Sequence, residues 1–150
     1  MTIKNITAAI TKTEQSFATL PLRLIAGLVF SAHGAQKLFA WFGGYGLEGT
    51  GQWMESIGLA PGYLMALMAG GAEFFGGLLL IVGLLVRPAS FVLAITMVVA
   101  IFTVHIDNGL FISNNGYEFG LSLLAITLAL FIQGAGKLSL DEKIHNKLNQ

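Results

Sequence analysis

The stretch LPLRLIAGLVFSAHGAQKLFAWF, residues 20–42, decides the fold. It is long and apolar enough for a bilayer crossing, which needs about 20 residues. Yet it carries Arg23, His33, Gln36 and Lys37. A charged side chain at mid-bilayer costs at least ~2.5–3.5 kcal/mol on insertion scales. Such groups persist where they face the interior of a bundle and meet partners there. Further helices must therefore follow, and they must carry the partners.

Three more apolar segments do follow, at about 62–86, 89–106 and 117–133. The expected fold is all-α: a polytopic membrane protein with a four-transmembrane-helix bundle over residues 20–136. An N-terminal cytoplasmic or interfacial segment (1–19) and a C-terminal cytoplasmic tail (137–150) flank it. In the first segment Ile3, Ile6, Ile10 and Phe17 fall at helical spacing. That pattern reads as a short interfacial helix or as a frayed tail. Arg23 inside the first apolar run argues against a cleaved signal peptide. The connection 43–60 is rich in glycine, with room for one or two helical turns at 52–57. Arg87 and Pro88 read as a tight turn between the second and third spans.

Composition agrees. The chain is 55% hydrophobic and 11% charged, where a soluble domain carries about 25% charged residues. Zero net charge and no basic run exclude a nucleic-acid partner. The absence of cysteine removes disulfides, thiol redox chemistry, iron–sulfur clusters and thiolate-bound zinc. The 19 glycines suit close helix approach in a bilayer. Gly27, Ser31 and Ala35 form a small ridge on the first span, and Ala66, Gly70, Glu73 and Gly77 share a face of the second. Gly77 is expected at a close contact, and Gly44 in an open loop.

Lys and Arg lie at the N-terminal end (Lys4, Lys12, Arg23), in the second connection (Arg87) and in the tail (Lys137, Lys143, Lys147). The first and third connections have neither. The positive-inside rule then places both termini in the cytoplasm.

At ~1.5 Å rise per residue, His33 lies roughly 20 Å into the first span and Glu73 roughly 18 Å into the second from the other side. Both are near mid-membrane. Lys37 is one turn further out, and His105 and Glu118 sit at the outer ends of the third and fourth spans. In one reading these groups only hold the helices together. In the other they form a site: His33 and Glu73 as proton-handling catalytic groups, with Lys37, His105 and Glu118 holding a ligand. Arg23 and Arg87 serve structure and insertion. A haem would need axial histidines at matched depth, and His33 and His105 differ by a helix turn or more. A metal on His105, Asp107 and Glu118 would lack a recognised ligand spacing. No metal site is expected.

Several motifs occur in a set order: R-L-x-x-G-x-x-F at 23–30, H-G-x-x-K-L at 33–38, M-x-x-x-G-L-x-P at 54–61, E-F-x-G-G-L-L-L at 73–80, G-L-L-x-R at 83–87 and G-A-G-K-L-S-L-D at 134–141. Together they resemble the DoxX family of small bacterial membrane proteins. The resemblance implies a four-helix inner-membrane protein related to subunits linked to thiosulfate:quinone oxidoreduction. It marks Arg23, His33, Lys37, Glu73 and Arg87 as the polar set. The expected function is a quinone-linked oxidoreductase component that receives electrons through a partner redox subunit or the quinone itself. The alternatives are a non-enzymatic lipid- or small-solute-binding protein or transporter, and a structural subunit. Whether the chain is an enzyme, and whether a homo-oligomer completes the site, stays open at the level of sequence.

Overall fold

The computed structural model describes residues 3–148, and all regular structure in them is helical. Seven α-helices run in order: α1 (Ile3–Ile10), α2 (Thr19–Phe39), α3 (Gly46–Ser56), α4 (Gly62–Val82), α5 (Val86–Ala100), α6 (Glu118–Gln133) and α7 (Leu140–Leu148). The four longest, α2, α4, α5 and α6, pack as a bundle in which α4 touches both α2 and α5, and α6 closes against α5 and α2. The helix α3 lies on α4 at the loop end, and α1 meets α7 at the end that holds the termini. Two stretches, Gly62–Val82 and Val86–Asn108, are long and apolar enough to cross a membrane. The charges of α2 lower its apolar character, and α6 has only 16 residues.

Helix ends follow local chemistry. The helix α2 stops at Phe39 because Ala40 turns left-handed at φ 58°. The second span was expected to reach residue 86, with its turn at Arg87–Pro88. It ends at Val82, because Gly83 adopts φ 69° and Leu84 N–H returns to Leu79 O at 3.0 Å, the two-bond glycine stop of many helices. Pro88 instead falls in the first turn of α5, where a missing N–H leaves nothing unpaired. The third span was expected to be regular to 106. Its α-helical bonding gives way to a π-helical turn at Ile101–His105. The glycine-rich connection forms three turns rather than two, as α3, and Glu55 of α3 accepts the Gly62 N–H at the start of α4.

The core centres on Ala26, Phe30, Leu80, Val86, Leu93 and Leu130. Large apolar side chains also point outward: Ile25, Leu28, Phe102 and Ile132 are 62–69% exposed. An apolar exterior of this kind suits lipid rather than water. Inside, α2 and α4 approach almost backbone to backbone. A Cβ added at Gly27 would lie 2.7 Å from Gly77 O, and one at Gly34 would strike the Phe74 backbone. Ser31 Oγ spans the same seam, donating to Phe74 O at 3.5 Å. Gly44 is not in open space as expected, since its added Cβ would meet Gln36 O.

The better control for this seam is Gly71, where an added Cβ meets nothing within 4 Å. Gly77→Leu would drive a side chain into Ser31 N, 2.6 Å from the added Cβ. It should cost about 3 kcal/mol or more by overpacking. Gly71→Leu should be neutral or gain up to about 0.8 kcal/mol from helix propensity. Thermal unfolding in detergent compares the two, and equal midpoints would refute the glycine seam.

Candidate functional site

The α2–α4 seam sets the position of the first polar pair. Gly70 has no side chain, so the Lys37 stem passes close over it; an added Cβ would lie 3.1 Å from Lys37 Cβ and 2.8 Å from Leu38 Cδ2. Lys37 Nζ then reaches across the seam and donates to Glu73 Oε2 at 2.6 Å. Glu73 is 4% exposed. Lys37 is 23% exposed, so only Glu73 is buried, and removing Lys37 would strand its carboxylate at about 3–5 kcal/mol.

This pair forms part of the wall of a cavity of about 1190 Å³ at the loop end of the bundle. All four long helices and α3 line it. His33, Gln36, Lys37, Glu73 and His105 are in the wall, and four methionines, Met54, Met65, Met68 and Met97, supply much of the apolar part. Methionine adapts to irregular ligands because it is unbranched and polarizable.

His33 projects into this space. Its nearest aromatic neighbour is Phe119, ring centroid to centroid 6.2 Å. Among the described residues no hydrogen bond joins His33 to Glu73, though both expected proton-handling groups line one cavity. Lys37 stands one helical turn from His33 and among the described residues bonds only Glu73. Gln36 Nε2 donates to Phe42 O at 3.2 Å. His105 Nδ1 is 2.8 Å from Asn115 O. A carbonyl only accepts, so Nδ1 carries the proton and Nε2 remains an acceptor. The π turn that ends in His105 was not legible as such in the sequence. Single π turns within helices often occur at functional sites.

Glu118 sits elsewhere. Its Oε1 accepts the Ile112 N–H at 2.6 Å, and it borders a separate hollow of about 240 Å³ with Ile112, Phe119 and Ser122. Its carboxylate fastens the loop before α6. Among the described residues no group of three His, Asp or Glu side chains could hold a metal ion.

The arginines lie at the other end. Arg23 is 1% exposed and donates to Ile81 O and Leu138 O, both at 2.6 Å. It thereby ties the last turn of α4 to the segment before α7. Arg87 donates to Lys12 O and Phe131 O, both at 2.8 Å. Asp141 completes this end and was missed as an individual residue. Its two carboxylate oxygens accept the N–H groups of Leu85 and Val86 at 2.8 and 2.9 Å, capping α5 from a distant part of the chain. Burial pushes the Asp141 carboxyl up, against those two N–H groups and the arginines, which hold it down. The signal for it was the G-A-G-K-L-S-L-D motif, whose final residue it is.

The DoxX family profile matches residues 18–106. A Bacillus subtilis (strain 168) protein named "Putative oxidoreductase CatD" is 38% identical over 123 residues, which is 82% of this chain and 84% of that protein. A Haemophilus influenzae (strain Rd) protein named as uncharacterized is 35% identical over 129 residues, covering 84% of this chain and 90% of its own length. The Escherichia coli (strain K12) "Inner membrane protein YqjF" is 30% identical over 142 residues, 91% of this chain and 98% of that protein. No solved structure matches the chain. The profile match covers the Arg23, His33, Lys37, Glu73 and Arg87 positions in one run, and on it the chain belongs to the DoxX family.

Proposed function

We propose that the chain is a bacterial inner-membrane protein of four transmembrane helices, α2, α4, α5 and α6, whose cavity binds a quinone and handles the protons of its redox change. The observation that carries this reading is one cavity lined by the Lys37–Glu73 pair, by His33, which has no hydrogen-bond partner among the described residues, and by a largely apolar remainder. The names of the B. subtilis and E. coli relatives, an oxidoreductase and an inner membrane protein, agree with it. Seven of the eight Lys and Arg residues gather at or near the end that holds the termini, which favours cytoplasmic termini and a cavity in the outer half.

The residues fit such a ligand. A quinone is flat and apolar with two carbonyl oxygens, and it takes up two electrons and two protons when reduced. Lys37 has three N–H donors and uses one on Glu73, so it can hold a ligand oxygen without leaving its partner. His105 Nε2, an acceptor, can take the O–H of the reduced, quinol form at the second oxygen. His33 and Glu73 are placed to pass protons to and from the bound ring. Electrons come from a partner redox subunit. Glu118 is left out of the set, since its carboxylate already holds the Ile112 N–H.

The topology has a direct test. A compartment-sensitive reporter inserted at Asn114 should read outside, and one fused after Gln150 should read inside. An inside signal at Asn114 would reverse the bundle and move the cavity to the cytoplasmic half.

The proton roles separate from structure by comparing stability with turnover. His33→Gln removes no hydrogen bond, so it should change stability by less than about 0.5 kcal/mol and still abolish quinone-dependent absorbance change. Glu73→Gln leaves the partly exposed Lys37 without its carboxylate and should cost about 1–3 kcal/mol, with turnover lost even in the folded fraction. Arg23→Gln should lower stability with far less effect on turnover per folded molecule. Full turnover in folded His33→Gln and Glu73→Gln protein would remove the enzymatic reading and leave a lipid- or solute-binding one.

A further inference from the structure

The cavity wall divides by chemistry. On α4, Met65, Met68, Ala69 and Ala72 form one stripe at helical spacing, and on α5 Thr96 and Val99 belong to another; both stripes line the cavity. The two helices touch lower down, where a Cβ added to Gly76 would lie 3.1 Å from Leu93 Cγ. Toward the loop end the stripes face each other with the cavity between them. Met68 is 60% exposed and Val99 46%, although both line the cavity. Met68 is the seventh residue of α4, roughly 10 Å along it, so this opening is on the flank of the bundle rather than at its end. No charged side chain occurs in either stripe. The polar groups, Lys37, Glu73 and His33, lie against the α2 side.

We infer that the cavity's ligand enters sideways from the bilayer through the slot between α4 and α5, and that it carries an apolar tail that stays in the slot while its polar head meets Lys37 and His33. The inference deepens the proposed binding role and rests on it. A ligand without a tail leaves the slot to lipid chains, and a head without polar atoms leaves Lys37 and His33 nothing to bond. One molecule that satisfies both ends is an amphiphile with a compact oxygen-bearing head and a linear hydrocarbon or isoprenoid chain. Lateral entry keeps that chain in an apolar medium at every stage, so its hydration is never an obstacle.

The test uses the full chain in lipid nanodiscs, with empty nanodiscs as the reference for partitioning. Equilibrium dialysis gives Kd for a decyl-tailed benzoquinone and for the same ring without its tail. Ala69→Phe and Thr96→Phe each fill the slot, and a wild-type melting midpoint qualifies a variant for use. The slot variants should weaken the tailed quinone at least tenfold and leave the tail-less ring within twofold of wild type. Unchanged affinity for the tailed quinone, or equal losses for both molecules, would overturn the slot. If wild type binds neither quinone, the quinone reading fails and decanoate becomes the probe. Slot-dependent decanoate binding would then keep the inference for a lipid ligand, and no decanoate binding would overturn it as well.

Discussion

The structure turns on what happens to the cations of α2. A helix that must be buried among other helices cannot leave Arg23 and Lys37 unpaired, because an unpaired buried charge is among the most expensive features a fold can carry. The two cations are solved by different chemistry. Arg23 takes backbone carbonyls, two from the last turn of α4 and two from residues 137 and 138. Carbonyls at a helix C-terminus lack intrahelical partners and carry the negative end of the helix dipole. A guanidinium fork, with five donors in a plane, can serve several of them at once. Lys37 is a single point charge and takes a single carboxylate, Glu73.

Both solutions need α2 and α4 to be close. The glycines at 27, 34, 70 and 77 remove the side chains that would hold the two helices apart. Without hydrophobic driving force between helices in lipid, this close packing is itself a main source of association. The seam and the ion pair therefore depend on each other. Gly70 lets Lys37 pass, and the Lys37–Glu73 bond closes the seam toward the loop end.

Much of this was legible in the sequence, and the reasons differ by feature. The four long helices could be read because each is a nearly continuous apolar run. The small-residue faces could be read because Gly and Ala recur at helical spacing. That Lys37 must meet a carboxylate followed from its burial, and Glu73 was the one carboxylate at similar depth. Three features could not be read this way. The π turn at Ile101–His105 depends on hydrogen-bond register, and the β-branched run around it gives no sign of a change. The cap of α5 by Asp141 joins residues more than fifty positions apart. The bond from Glu118 to Ile112 N depends on how the loop folds, so depth alone gave no sign of it.

The two ends of the bundle differ in a way that bears on function. At the terminal end, Arg23 and Asp141 fasten the 134–141 segment against α4 and α5, and Thr19 Oγ1 adds a bond to Ala135 O at 2.9 Å. Most polar groups there bond backbone, although among the described residues Arg23 Nε and Ser90 Oγ are buried without a hydrogen-bond partner. At the loop end, His33 is uncommitted, Lys37 has donors to spare, and His105 has one nitrogen tied and one open. Spare hydrogen-bonding capacity thus occurs at both ends, and what sets the loop end apart is that its spare groups line a cavity. A ligand can reach the loop-end groups through that cavity, whereas Arg23 and Ser90 are sealed inside the fold, so any binding role falls to the loop end.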